Sequence, residues 1–409
     1  MKEISILLVG IGGYGENYVA ALLPDIQDER LKGIRIAGIV DPYPEKCSLI
    51  SKITERNIPV YHTLEAFYKN GFVDLAIICT PIHLHVEQIL FCLTKGSNVL
   101  CEKPLCATYQ DSLRLLEAER NFGKMVGIGF QLSFSNAVQE MKQDINSGVF
   151  GKPIQLKAFL LMPRGEQYYK RNNWAGRIKA NNGSWVLDSP VNNACAHQLH
   201  NMLYVLGKTR ETSANPVSIT AELYRAYSMI ENYDTAALRC MTEDGVEILF
   251  YTSLAVRGKT KSGPISRYSF EKATIFHDQG DDENFWVRFH DGAEKYYREA
   301  PKSDRLQKLW DAIAAVREGK QMACGISAST PHLLCVNGAQ ESMPEIGSLP
   351  ESFLAVEGPP GDSKTYIMGI EITLMDCFVQ AKLPNELGVP WSNPGKRIDL
   401  RNYRGFYGI

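Results

Sequence analysis

Through the first 130 positions, short continuously apolar or β-branched runs alternate with stretches of mixed polarity. Ile4–Val9, Ile34–Val40, Leu75–Cys79, Asn98–Cys101 and Met125–Phe130 have the composition of buried parallel strands. Glu16–Leu23, Pro44–Thr54, Thr63–Asn70, His83–Lys95 and Ser112–Phe122 are the helices predicted between them. Such alternation implies a parallel sheet covered on both faces. After Phe130 the texture changes. A helix over Asn136–Ser147 leads into a strand at Ile154–Leu161, and further strands are expected at Val217–Ala226, Thr235–Thr242, Val246–Leu254, Tyr268–Phe276 and Phe285–Phe289. Glu243-Asp244-Gly245 reads as a hairpin turn between two of these. Consecutive strands without intervening helices predict an antiparallel or mixed sheet, with helices at Pro190–Leu206, Asp304–Arg317, Pro331–Ser342 and Ser363–Gln380. Thr330 and Pro331 read as the N-cap and first position of one of these. The expected fold class is α/β: a doubly wound parallel sheet over residues 1–130, then an α+β domain over 131–409 with a large, open, mostly antiparallel sheet.

Gly10-Ile11-Gly12-Gly13-Tyr14-Gly15 follows the first strand and opens a helix. In that context G-x-G-x-x-G binds a dinucleotide. The first glycine permits the tight turn, the second lets backbone approach a pyrophosphate, and the third lets helix and strand pack closely. Asp41 closes the next strand, where an acid accepts hydrogen bonds from a ribose diol and repels a 2′-phosphate. No arginine stands beside it, although Lys46 is within reach, so NAD is expected over NADP.

Composition narrows the partners. The chain has 409 residues, 44 Lys plus Arg against 46 Asp plus Glu, and a net charge of −2, so it lacks the field that gathers nucleic acid. No apolar stretch approaches the roughly 20 residues needed to span a bilayer. The first residues lack the pattern of a signal peptide. The ten cysteines are scattered through apolar segments without a Cys-x-x-Cys pair, as expected of buried reduced thiols and no metal centre. These features predict a cytoplasmic protein.

The strand at Asn98–Cys101 ends in Glu102-Lys103-Pro104. Ligands of doubly wound sheets lie beyond the carboxyl ends of the strands, which directs Lys103 towards the cofactor crevice. The glycine loop, Thr80-Pro81-Ile82-His83-Leu84-His85, Glu102-Lys103-Pro104 and Gly148-Val149-Phe150-Gly151-Lys152-Pro153 occur in this order. Through residues 1–160 the chain thereby resembles the Gfo/Idh/MocA family (glucose–fructose oxidoreductase, inositol dehydrogenase). The resemblance implies an N-terminal Rossmann domain, a C-terminal domain whose open sheet often joins subunits into a homodimer or homotetramer, and NAD(P)-dependent hydride transfer on sugars or cyclitols. It implies that Lys103 is the active-site lysine, that Thr80, Pro81 and Glu102 lie with the glycine loop at the cofactor, and that His85 matches a histidine of positional role.

The family's further motif, Asp-x-Gly-x-His-x-x-Asp, is altered here. Aligned from the left, Asp188 is the acid and Asn192 stands where histidine belongs; aligned from Leu206-Gly207, His197 is the histidine, Asn193 replaces the first acid and His200 the second. The second register is preferred because Ser189 and Pro190 make a good helix start. It places Asn193, His197 and Tyr204 on one polar stripe and makes His197 the candidate base. Between the domains, Arg164–Arg177 is rich in aromatic and basic groups, with Trp174 and Arg177 as candidate sugar contacts. Two other outcomes stay open: an NAD-dependent glycoside hydrolase of the same fold, and a non-catalytic dinucleotide or sugar sensor.

Overall fold

The computed structural model describes residues 3–259, 261–278, 284–298 and 305–408. They form two compact units. The first comprises Met1–Cys106, Asp111–Phe134 and the described part of Lys302–Ser329; the second comprises Ala107–Gln110, Ser135–Pro301 as far as described, and the chain from Thr330.

The first unit is built on six parallel strands: β1 (Ile4–Val9), β2 (Ile34–Val40), β3 (Val60–Tyr61), β4 (Leu75–Ile78), β5 (Asn98–Cys101) and β6 (Val126–Ile128). Their order is β3-β2-β1-β4-β5-β6. Every residue of β1 and β4 is buried, which is why these runs are apolar without alternation. The order reverses between β1 and β4, and there the carboxyl ends leave a crevice. The chain leaves β1 into Gly10 and β4 into Cys79-Thr80, so two of the sequence motifs meet at the switch point. Only β3 lacked a signal; it is two residues long.

One helix crosses the expected domain boundary. Gln307–Glu318 packs on β1 and β5, so this segment covers the parallel sheet rather than belonging to the 131–409 domain. Its amphipathic pattern shows that one face is buried but cannot say against which sheet. The expected start at Asp304 lies outside the described residues.

The second unit contains a ten-stranded sheet. Its strands are β7 (Pro153–Leu161), β8 (Pro216–Arg225), β9 (Thr235–Thr242), β10 (Glu247–Ser253), β11 (Ser262–Phe270), β12 (Ala273–His277), β13 (Phe285–Phe289), β14 (Glu294–Tyr297), β15 (Gly347–Ser348) and, later in the chain, Ile398–Asp399. The order is β14-β13-β12-β11-β7-β10-β9-β8-β15, with Ile398–Asp399 also beside β8. Pairing is antiparallel except at β7–β10 and β8–β15. Leu156, Ala158 and Leu160 of β7 face the helix Ala196–Val205, whose Asn201 donates to the Tyr268 hydroxyl at 3.3 Å. The opposite face carries Lys157 and Phe159, which meet Phe378 of the helix Ile370–Gln380: Lys157 Nζ donates to the Phe378 carbonyl at 2.6 Å.

Five expected elements differ. Pro44–Thr54 is a 3₁₀ turn, Pro44–Lys46, and then a separate helix, Ile50–Glu55. Tyr268–Phe276 is two strands, β11 and β12, turned at Glu271-Lys272 without glycine or proline to signal it. Ser363–Gln380 is a strand, Lys364–Ile367, and then the helix from Ile370, separated by Gly369 at φ +74°. The helix of Pro331 starts at Ile326, which puts the proline inside it. Pro190–Leu206 breaks at Cys195 (φ −117°) into a π-helical turn, Pro190–Ala194, and the α-helix Ala196–Val205. Among the described residues no helix is long and apolar enough to cross a membrane, and no group of acids, histidines and cysteines could hold a metal.

Candidate active site

The glycine loop meets its stereochemical demands residue by residue. Gly10 has φ +79°, and a Cβ there would stand 3.0 Å from the Thr80 methyl. A Cβ on Gly15 would lie 2.3 Å from the Gly10 carbonyl oxygen, so the third glycine is required by helix–strand packing. Gly13 has φ +57°, and a Cβ on either Gly12 or Gly13 would meet nothing within 4 Å. That open side is where a pyrophosphate would lie against backbone N–H groups at the start of helix Gly15–Leu22. These residues fit a dinucleotide.

Asp41 has a second task that the spacing could not reveal. Its Oδ2 accepts the Ile11 N–H at 2.9 Å and its Oδ1 the Tyr43 N–H at 2.8 Å, so the acid braces the glycine loop itself. A carboxylate has about four lone-pair sites, which leaves capacity for a ribose diol. Lys46 lies with its ammonium 4.3 Å from the Tyr43 ring centre.

His85 is buried, with Nε2 2.8 Å from the Thr80 carbonyl oxygen and Nδ1 2.9 Å from that of Pro104. It lies between the turn after β4 and the turn after β5, with both ring nitrogens facing protein. Burial lowers its pKa against the pull of those carbonyls. The Thr80 hydroxyl is given to Gln88 at 2.5 Å. Pro81 caps the helix Ile82–Thr94. His83, half-buried beside it, has its pKa lowered by burial and by the neighbouring His85.

Glu102 has partners within the first unit. Its carboxylate accepts the Tyr18 hydroxyl at 2.7 Å and the Lys103 N–H at 3.2 Å, and it pairs with Lys308. It is therefore an internal group of the first unit, and its partner was missed: a lone lysine in a distant amphipathic helix reads as a surface charge. Tyr14, 44% exposed, keeps its place in the loop with its hydroxyl 3.3 Å from Lys308 Nζ. Lys103 is half-buried at the turn.

In the second unit the two competing alignments converge. Asp188 is buried; its Oδ1 accepts the Asn193 side-chain amide at 2.7 Å and its Oδ2 the Gly176 N–H at 2.6 Å. Ser189 caps as expected, accepting the Asn192 N–H at 3.1 Å. The acid of one register thus holds the amide of the other, and it also fixes the end of the Arg164–Arg177 segment. His197 is the second residue of its helix and half-buried. His200 is fully buried beside Tyr204 and His332, and burial, then His332, His197 and Lys142, keep its pKa well below the usual range. It is a neutral packing residue. Tyr204 does not share a polar stripe with His197: it is buried, its hydroxyl donates to the Arg210 carbonyl at 2.7 Å, and Lys142 Nζ lies 3.6 Å from its ring centre. His197 and Tyr204 both belong to the unbroken helix Ala196–Val205, whose far end is buried; the break at Cys195 shifts only Asn193 out of their helical phase.

Much of the aromatic and basic segment is internally satisfied. Arg177 pairs with Glu231 at 2.5 Å. Tyr168 is flanked by the guanidinium groups of Arg171, 3.6 Å from its ring centre, and Arg164, at 4.8 Å. Burial, then the charge of Asp188, push the Tyr168 hydroxyl up to about 12. Trp174 is half-buried, its N–H bonded to Asn172 Oδ1. Arg177 is thus paired with an acid, which weakens its case as a sugar contact, and the Trp174 ring centre lies 5.4 Å from the Arg171 guanidinium.

Comparison with known proteins agrees with the fold. An inositol 2-dehydrogenase from Rhodococcus jostii is 30% identical over 154 residues, 37% of this chain and 40% of that protein. A 2,7-anhydro-N-acetylneuraminate hydratase from Mediterraneibacter gnavus is 32% identical over 154 residues, 38% of each. The chain thus spans less than half the length of these curated relatives. Among solved structures, a levoglucosan dehydrogenase in complex with NADH and levoglucosan superposes with a TM-score of 0.68 at 14% identity, over 84% of this chain and 98% of that one. The WlbA dehydrogenase from Bordetella pertussis, in complex with NADH and UDP-GlcNAcA, gives 0.66 at 17%, over 83% and 97%. At these identities the likeness establishes the fold. The oxidoreductase family with NAD-binding Rossmann fold matches residues 4–130. Over those residues the chain is similar to the Gfo/Idh/MocA oxidoreductase family.

Proposed function

We propose that the protein is an NAD-dependent oxidoreductase acting on a secondary hydroxyl or carbonyl of a sugar- or cyclitol-like substrate. The observation that carries this reading is the switch point itself: a glycine loop open above Gly12 and Gly13, with Lys103 at the end of β5. When bound, NAD supplies the hydride acceptor. The chain must then remove the hydroxyl proton and stabilise developing negative charge on oxygen. Histidine titrates near neutral pH, so His197 is assigned as base and Lys103 as the group that orients the oxygen. Asn193, its amide nitrogen held by Asp188, is assigned to a substrate hydroxyl, and Trp174 to the face of a sugar ring. Residues 1–130 are assigned to cofactor binding and 131–409 to substrate and assembly, with the helix Gln307–Glu318 transferred to the first. A cytoplasmic setting and a homodimer or dimer of dimers complete the proposal.

Incubation with NAD and a panel of cyclitols and aldoses tests this reading. NADH should accumulate with at least one of them. Glycoside cleavage or hydration without NADH would instead favour transient use of the cofactor, and tight NAD binding with no turnover would favour a sensor. Asp41 further implies tighter binding of NAD than NADP by calorimetry; equal or reversed affinities would mean that Lys46 governs the ribose pocket.

A further inference from the structure

Beneath the glycine loop lies a buried charge pair that has no place in the chemistry assigned above. The Lys308 side chain is 1% exposed and that of Glu102 10%. Lys308 Nζ contacts the Glu102 carboxylate, the Gly129 carbonyl oxygen at 3.2 Å and the Tyr14 hydroxyl at 3.3 Å. Tyr18 donates to the same carboxylate oxygen at 2.7 Å. The second oxygen of Glu102 accepts the N–H of Lys103. A Cβ on Gly129 would come within 2.9 Å of it, so glycine makes room for the carboxylate. Four elements converge on this node: the glycine-loop helix, the ends of β5 and β6, and the helix Gln307–Glu318.

The surroundings keep Lys308 charged. Cys79, Cys101 and His85 also interact with Glu102; burial raises both thiols and lowers the imidazole. Burial opposes the charge on Lys308, but Glu102 and Tyr14 outweigh it and the ammonium is held above its ordinary value. Fold stability does not explain such a pair, because apolar replacement of a buried ion pair is often neutral or stabilising. Its place next to Lys103 does.

We propose that Lys308 is a positioning residue for the active-site lysine: by holding the Glu102 carboxylate on the Lys103 backbone N–H, it prevents that carboxylate from capturing the Lys103 ammonium. This rests on the reading of Lys103 as the lysine that faces substrate.

Competitive acetylation of the intact protein with acetic anhydride across the alkaline range, with the Lys103 peptide followed by mass spectrometry, reads that amine directly and needs no substrate. In Lys308→Met, Glu102 loses its cation and draws on Lys103. A neighbouring opposite charge shifts a pKa by about 1–3 units, so labelling below the new pKa falls by roughly tenfold or more. In Glu102→Gln the orphaned Lys308 charge repels the Lys103 ammonium, and labelling rises by a similar factor. The double variant Glu102→Gln/Lys308→Met, which leaves no buried charge behind, returns labelling close to wild type. Should Lys308→Met fail to fold, the rise in Glu102→Gln and the return in the double variant carry the test. Unchanged Lys103 reactivity in the folded variants would overturn the proposal and leave Lys308 a brace of the fold. Absence of NAD-linked turnover in the wild type would overturn the oxidoreductase reading instead, whatever the labelling shows.

Discussion

At the residue scale, the assignment of base and orienting group makes separable claims. Removing a positioned acid or base removes about 10²–10⁴ in rate. Lys103→Ala and His197→Ala should each lower turnover by that factor, measured at saturating NAD, while calorimetric NAD affinity stays near wild type. Asp188 differs, because its two oxygens accept from Asn193 and Gly176. Asp188→Asn can satisfy only one of those donors, and a buried donor left unpaired costs about 1–3 kcal/mol. Thermal melts should show that loss, with turnover reduced less than in His197→Ala. If Asp188→Asn abolishes turnover while His197→Ala leaves it intact, Asp188 is the base. These residues also mark how far the sequence could be read. Gly10, Gly15 and Asp41 were legible because their demands are set within one β–α–β unit. Lys308 was not, since nothing local connects it to Glu102 two hundred positions earlier. Tyr204 was misplaced because a helical wheel does not show that Lys142 and Arg210 cover that end of the helix.

At the element scale, the strand pattern of both sheets followed from burial, and the errors fell where tertiary context decides. The turn at Glu271-Lys272 carries two charged residues and no turn signal, and Gln307–Glu318 needed the parallel sheet to define its buried face. Strand β8 holds a second unexpected group. Glu222 accepts the Tyr224 hydroxyl at 2.7 Å and the Asn385 N–H at 3.1 Å, yet burial outweighs both and lifts its pKa from 4.5 to about 7. The folded chain therefore holds this proton more tightly than the unfolded chain. Its contribution to stability is fully present below pH 4.5 and is lost as pH rises through about 7. Glu222→Gln keeps an acceptor without the ionisation. Its melting temperature should gain on wild type between those two values and hold a constant lead above them; a difference that does not vary with pH would show that Glu222 titrates normally.

For the whole molecule, the question is what covers the second sheet. Phe276 and Trp286 stack at 4.2 Å on the face opposite Leu156 and Ala158, with Tyr296 following at 6.4 Å. Beside them, the helix Ile370–Gln380 leaves Ile372 71% and Val379 64% exposed. Apolar surface of this kind marks an interface more often than free surface. Light scattering at micromolar concentration should give a dimer or a dimer of dimers, and a monomer would refute the proposed assembly.

The central claim is that hydride passes between a carbinol carbon and NAD, and isotope transfer tests it most directly. A cyclitol or sugar that supports turnover is prepared with deuterium on the reacting carbon and incubated with NAD and the intact protein. The account predicts that the label is recovered in the reduced nicotinamide, with the matching ketone formed in equal amount, and that Lys103→Ala slows both together. Label retained in the product or lost to water, with no reduced cofactor accumulating, would contradict it.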